Sequence, residues 1–182
     1  MANEKVKLNN VRLSFEHIFE PQKSSDGGAD SYSANFLLGD NDKLVDKMNA
    51  AIEAVAKEKW GAKAAGVLKT LRASGKMCLG SCETKDYDGY EDGEFFVSAN
   101  NKRRPSTFDR GRNMVTQDDN VIYSGCYVNA VLEVWAQDNA HGKRVNAALM
   151  GVQFVMDGDA FGAGGVASED DFDVMDDDDE FD

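Results

Sequence analysis

Apolar residues fall on every second position through most of this 182-residue chain, and that spacing restricts the fold more than any other feature. Val6 and Leu8, then Val11, Leu13 and Phe15, alternate with polar residues, and Asn9-Asn10 shifts the phase as a β-bulge does. The pattern predicts a strand from Lys5 to Phe15. Ser24 to Asp30 is a Gly-, Ser- and Asp-rich loop, and Tyr32, Ala34, Phe36 and Leu38 form a second strand able to pair with the first. Period two returns at Met77–Ser81, Phe95–Ala99, Ile122–Ala136 and Arg144–Val155, the last pair joined through the turn Asp138–Gly142. Between the strands, Asp40-Asn41-Asp42 offers a helix cap. Leu44, Met48, Ile52 and Val55 follow at helical spacing until Gly61, and a second helix is predicted over Ala62–Ala73, stopped by Ser74-Gly75. Five or six strands with one helical insertion make a mainly β fold, and a small, strongly curved barrel is the architecture that suits them.

Taken as a total, charge argues against any role with nucleic acid, because 33 Asp+Glu against 20 Lys+Arg give a net charge of −13. The distribution reverses that conclusion. Residues 169–182 hold ten of the acids and no base, so residues 1–168 carry 23 acids, all 20 bases and a net charge of only −3. Such a run of carboxylates cannot be buried without partners, and it predicts a disordered C-terminal tail. Asp157–Gly165 is glycine-rich and reads as the start of a linker. The expected division is a folded domain at 1–161, a linker at 162–168 and an acidic tail at 169–182.

The body has one cationic island, Lys102-Arg103-Arg104-Pro105-Ser106-Thr107-Phe108-Asp109-Arg110-Gly111-Arg112. Guanidinium groups fork onto phosphate oxygens and stack on bases, so Lys102, Arg103, Arg104, Arg110 and Arg112 are candidates to track a phosphate backbone. Arg12, Lys76, Lys143 and Arg144 would assist. Exposed rings bind unstacked bases regardless of sequence, and Tyr87, Tyr90, Phe108, Tyr123 and Trp135 lie in loops, near the island or at a strand end. A solvated loop balancing an acidic face is the competing reading of the island. Core packing is the competing reading of any single ring, and it is the default for Phe36, Phe95, Phe96 and Phe154 in the alternating strands.

Other chemistries find less support. Cys78, Cys82, Cys126 and His141 contain the donor types of a zinc site, but without two closely spaced pairs, and buried thiols are the ordinary alternative. Neither His17 nor His141 lies in a nucleophile motif. Asp86/Asp88, Glu91/Asp92, Asp118/Asp119 and Asp157/Asp159 could hold Mg²⁺ for phosphodiester hydrolysis, yet Asp and Gly are ordinary turn residues. No Gly-x-x-x-x-Gly-Lys-Ser/Thr loop is present. The expectation is a protein with no catalytic residues, no cofactor and no metal. The longest mainly apolar stretch, Val145–Met156, is interrupted by Asn146, Gly151 and Gln153, and the first residues lack a signal-peptide core. Neither a membrane role nor export is expected.

Within the tail, Phe172, Val174-Met175 and Phe181 punctuate the acids, including Asp176, Asp177, Asp178, Asp179 and Glu180. Plain solubilisation, which does not need apolar residues, is the competing reading of the tail. An acidic, aromatic peptide can dock in a basic-rimmed apolar pocket of a partner or fold back onto a basic groove of its own domain.

Taken in order, several segments resemble bacteriophage single-stranded DNA-binding proteins with an OB-fold core and an acidic C-terminal tail. They are Val6–Phe15, Lys102–Pro105 with Asp109, Tyr123–Ala130, Gly151–Val155 and Asp157–Gly162. The resemblance spans nearly the whole chain. It implies a five-stranded barrel that binds single strands without sequence readout in the host cytoplasm, and a tail that contacts replication or recombination proteins. In several such proteins the tail ends in an aromatic residue, whereas here Phe181 is followed by Asp182. A homodimer is compatible with the resemblance, although no residue argues for it. Outside that family, an acidic interaction module or nucleic-acid mimic that occupies a basic host protein fits the same composition.

Overall fold

The computed structural model describes residues 3–24, 27–83, 85–161 and 172–175. Its strands are β1 (Glu4–Gln22), β2 (Ser31–Gly39), β3 (Leu79–Ser81), β4 (Phe95–Asn101), β5 (Ser106–Phe108), β6 (Tyr127–Asn139) and β7 (Gly142–Met156). Two helices, α1 (Asp42–Trp60) and α2 (Ala64–Ser74), lie between β2 and β3.

Five strands close a barrel in the order β1-β2-β4-β7-β6 and back to β1, antiparallel except where β4 meets β7 in parallel at Asn100 and Ala148. That order and the single parallel seam are those of an OB-fold. Two short strands complete the seam: β3 extends β4 at Phe95–Val97, and β5 runs parallel to β7 at Gly151–Gln153. The inward rows are the alternating residues read from the sequence. Val6, Leu8, Val11 and Leu13 of β1 meet Val128, Ala130, Leu132 and Val134 of β6 and Val145, Ala147, Leu149 and Val152 of β7 in one core.

Asn9-Asn10 does form a bulge: the β1–β6 register shifts between Leu8 and Val11, and Asn10 has φ 54°. A second shift, between Ser14 and His17, has no sequence signature. Phe15 there adopts φ 47°, which turns its ring outward and lets β1 run on to Gln22, seven residues past the predicted end. The predicted strand from Ile122 begins only at Tyr127, because Ile122 is buried in an irregular turn and the chain reverses at Gly125.

Helix α1 starts as the cap residues predict, with the Asn41 side chain accepting from the Leu44 N–H. Leu44, Met48, Ile52 and Val55 form its buried stripe against β1 and β6. A 3-10 turn at Gly61–Lys63 delays α2 to Ala64, and Gly75 closes it in the left-handed conformation. No helix among the described residues is long and apolar enough to cross a membrane.

Candidate nucleic-acid interface

The outer face of β1, β2 and β4 carries a cluster of rings. Phe15 packs edge-on against Tyr87 at 4.9 Å, Tyr87 against Tyr90 at 5.4 Å, and Tyr90 against Phe96 at 5.3 Å between centroids. The four rings arrive by three routes. The second register shift of β1 presents Phe15; strand alternation points Phe96 outward, opposite the buried Val97; and the loop between β3 and β4 supplies both tyrosines. That loop closes tightly around Gly89 (φ 82°), where a Cβ would strike the Phe161 ring at 2.5 Å.

The four rings have unequal roles. Tyr90 is 6% exposed, and its hydroxyl donates to Ser14 Oγ and accepts from Asn35 Nδ2, whose own carbonyl accepts from Ser98. Burial pushes its phenol above the usual range. Tyr90 is therefore the platform, while Phe15 at 49% and Tyr87 at 52% exposure offer free ring surface. His17, Ser33, Asn35, Lys85 and Ser98 line a shallow groove of about 420 Å³ around them. Through Lys85, Phe96 and Ser98 it continues into a wider one that reaches Arg72 and Arg144.

The cationic island divides in two. Lys102, Arg103 and Arg104 leave the end of β4 fully exposed; Asn101 Oδ1 accepts from the Arg103 N–H, and the Arg104 guanidinium lies 5.6 Å from the Phe19 ring centroid. Phe108, the last residue of β5, and Arg110 and Arg112 after it lie on the other side of the β4–β7 seam. There the Asp109 carboxylate accepts from Asn113, which holds it below its usual pKa and fixes the turn.

Five further candidates are placed elsewhere. Arg12 donates to the carbonyls of Gly125 and Asp159. The Tyr123 hydroxyl donates to Asp157 and accepts from the Gly158 N–H. Both hold the segment after β7. Lys76 and Lys143 line a groove beside α2. Trp135 is half-buried on the outward row of β6, paired with Asn146.

The residues considered for metal chemistry are likewise occupied. Cys78, Cys82 and Cys126 are free, buried thiols; Cys82 packs with Leu37 and Tyr90, the other two in the main core. Asp119 caps the short turn at Gln117–Asp119. No group of three metal-ligating side chains occurs among the described residues. Of the tail candidates, Phe172 is 71% exposed. Asp176, Asp177, Asp178, Asp179, Glu180 and Phe181 lie outside the described residues, as does the linker at 162–168.

Sequence reasoning missed Phe15, His17, Asn35, Lys85, Phe96 and Ser98. The polar alternation of Ser33, Asn35 and Ser98 on two strands facing Phe96 was the available signal, since a solvent face that carries small polar residues beside a ring is what a binding face requires.

A closed OB barrel with rings on the face of its second and third strands defines an oligomer-binding class, which uses that face for oligonucleotides or oligosaccharides. The comparisons narrow the class. Residues 4–182 match the family model of the single-stranded DNA-binding protein of Enterobacter phage Enc34, and the chain belongs to that family. Putative protein p50 of Acyrthosiphon pisum secondary endosymbiont phage 1 is 45% identical over 174 residues, 94% of each chain. The Enc34 single-stranded DNA-binding protein, solved in complex with ssDNA, superposes with a TM-score of 0.74 at 28% identity, covering 87% of this chain and 89% of that one. Bacteriophage T7 gp2.5 shares the fold, with a TM-score of 0.58 at 14% identity over 96% of this chain and 100% of gp2.5.

Proposed function

We propose that this chain is a phage single-stranded DNA-binding protein, without catalytic activity, that coats exposed strands in the host cytoplasm during replication, recombination and repair. The observation that carries this reading is the exposed Phe15–Tyr87 pair, seated on a buried Tyr90 platform in a groove with Lys85, while the exposed Lys102–Arg104 run follows the far end of β4. Free ring faces bind any unstacked base, and flanking cations bind any phosphate, so the arrangement favours single strands of any sequence. A duplex hides its base faces and loses the stacking contribution.

In this reading the acidic tail is a tethered polyanion that competes for the same groove, and its Phe172 and Phe181 give partner proteins of replication an acid-plus-ring motif. Phe161, the last residue of the folded domain, packs in the same cluster as Tyr90 and Phe96, so the chain leaves the domain beside the groove.

The test is fluorescence anisotropy of labelled oligo-dT and of duplex, with intact protein and with protein lacking residues 168–182. The expected result is preference for the single strand, tighter binding after truncation, and an oligonucleotide left intact when Mg²⁺ is added. No binding by either form would favour an interaction module or nucleic-acid mimic, and Mg²⁺-dependent cleavage would favour a nuclease.

A further inference from the structure

The barrel has a second concave face, remote from the ring cluster, on the outside of β5, β7, β6 and the first half of β1. Its volume is about 560 Å³, within the range of roughly 300–1,000 Å³ typical of ligand sites. The floor dips because β7 presents Gly151 where its neighbours β6 and β5 present Val131 and, two residues on, Phe108. Lys7, opposite Val131 on β1, and Arg112, from the turn after β5, stand at its edges.

Three properties suit a nucleotide chain. The lining carries two cations and no carboxylate among the described residues, and neither the Lys7 ammonium nor the Arg112 guanidinium has a hydrogen-bond partner there. Phe108 contributes a partly exposed ring to the wall. The amides of Asn129 and Gln153 are already engaged, Asn129 Nδ2 donating to Gln153 Oε1 and Gln153 Nε2 to the Asp109 carbonyl, so little is left to read a base edge. Such a site supports stacking and phosphate contact without sequence preference, the same chemistry as the ring cluster.

The turn that holds Arg112 is built rather than loose. Arg112 has φ 65°, its N–H donates to the Asp109 carbonyl, and the Asp109 carboxylate accepts from the Asn113 N–H at 2.9 Å. Three exposed cations connect the faces. The exposed Lys102–Arg104 run leaves β4 at the end away from Phe96, where Asn100 pairs with Ser33 of the ring-cluster groove, and leads to β5, at the wall of the second concavity. β1 also serves both faces, carrying Lys7 before the Asn10 bulge and Phe15 at the second register shift.

We infer that a single DNA strand bound at the ring cluster continues over the β4–β7 seam along Lys102–Arg104 into this second concavity, where Phe108 stacks and Lys7 and Arg112 hold phosphates. The inference rests on the single-strand-binding reading above and extends it to a two-segment track. It predicts that length, rather than sequence, decides whether the second segment is used.

The experiment compares labelled oligo-dT of about 6 and about 16 nucleotides, near the limits of site size for one OB-fold. The proteins are the full chain, Lys7→Ala/Arg112→Ala, Gly151→Val and Tyr87→Ala. Gly151→Val fills the floor without touching charge, since a Cβ there meets Ser106 at an ordinary 3.4 Å. The expected result is that both second-face variants bind the 6-mer as the parent does and the 16-mer about five- to tenfold more weakly. The double charge variant should also lose about 1.4 from the salt slope on the 16-mer, at about 0.7 per phosphate contact. Tyr87→Ala should weaken both lengths. Photo-crosslinking of a 16-mer carrying 5-iodouracil should label the peptide containing Phe108, whatever the variants do to stability.

Unchanged 16-mer affinity in both second-face variants, with no crosslink at Phe108, would overturn the track while leaving the ring cluster in place. Equal weakening of both lengths would overturn it too, by making the second concavity the primary site. Failure of the parent and of the protein lacking residues 168–182 to bind either length would instead overturn single-strand binding itself.

Discussion

The Arg12 guanidinium lies 4.1 Å from the centre of the Phe161 ring while its Nη2 donates to the Asp159 carbonyl at 2.7 Å. Its Nε reaches the Gly125 carbonyl at 3.0 Å, so one side chain ties strand β1 to the turn before β6 and to the segment that leaves β7. The backbone has adapted to this junction: Gly125 sits at φ 110° with the Asp159 backbone against its Cα, where any Cβ would collide.

Arg12→Ala removes a charged hydrogen bond to each of two carbonyls together with a cation–π contact. It should destabilise the fold by about 2 kcal/mol. A lower urea midpoint at unchanged m-value would show it. Arg12→Lys should recover less than half of the loss, because an ammonium cannot serve both carbonyls and the ring from one plane. If Arg12 served phosphates instead, the substitution would lower the salt slope of DNA binding and leave the midpoint alone.

Tyr87 and Tyr90 are three residues apart, touch each other, and should respond in opposite ways. Tyr87→Ala removes an exposed ring and should weaken oligo-dT binding by about 1–3 kcal/mol with little change in thermal stability. Tyr90→Phe deletes a hydroxyl bonded to Ser14 and Asn35 in a buried setting. It should cost about 1 kcal/mol of stability, and affinity only through loosening of the platform. Melting curves and binding isotherms on both variants separate the two roles.

Much of the barrel was legible because its inner face is strictly apolar at period two. The core positions Val6, Leu8, Val11 and Leu13, the Asn10 bulge and both helix caps all follow from local rules. What local rules miss is set by contacts distant in sequence. Nothing near Phe15 signals that β1 shifts register there, since the shift lets β1 continue beside Ser33 and Ser31 of β2. Arg12 reads as a free cation until the fold brings Gly125 and Asp159 to it, 113 and 147 residues away. Strand β5, three residues long, exists only because β7 offers it an edge. The tyrosines of the β3–β4 loop read as rings in a loop, but which of them is buried depends on Phe96 and Leu37, which the loop folds onto.

Alanine at Arg103 and Arg104 should leave the fold intact, because both side chains are exposed and only Arg104 makes a ring contact, with Phe19. Each lost phosphate contact lowers the slope of log affinity against log salt by about 0.7. The double variant should therefore lose about 1.4 from the slope and bind most weakly, relative to the parent, at low salt. Equal slopes for parent and variant would place these arginines off the DNA path.

The three cysteines report on the tightness of the core. Burial raises the Cys78 thiol from 9.0 to about 12, and Cys82 and Cys126 to about 11, with Glu94 adding to the effect at Cys82. Iodoacetamide reacts with thiolates, so at pH 8 the native protein should resist labelling that goes to completion in denaturant. The same shifts fix the sign of an alkaline instability. Between pH 9 and about 11 the unfolded chain has lost these protons and the folded chain has kept them, so unfolding releases protons and stability falls as pH rises. The contribution is fully present below pH 9 and is gone once pH passes the folded value. Unfolding free energies measured from pH 8 to pH 10 should decline, and Cys78→Ala, though less stable at pH 8, should decline less steeply. An identical slope in the variant would assign the alkaline loss to groups other than Cys78.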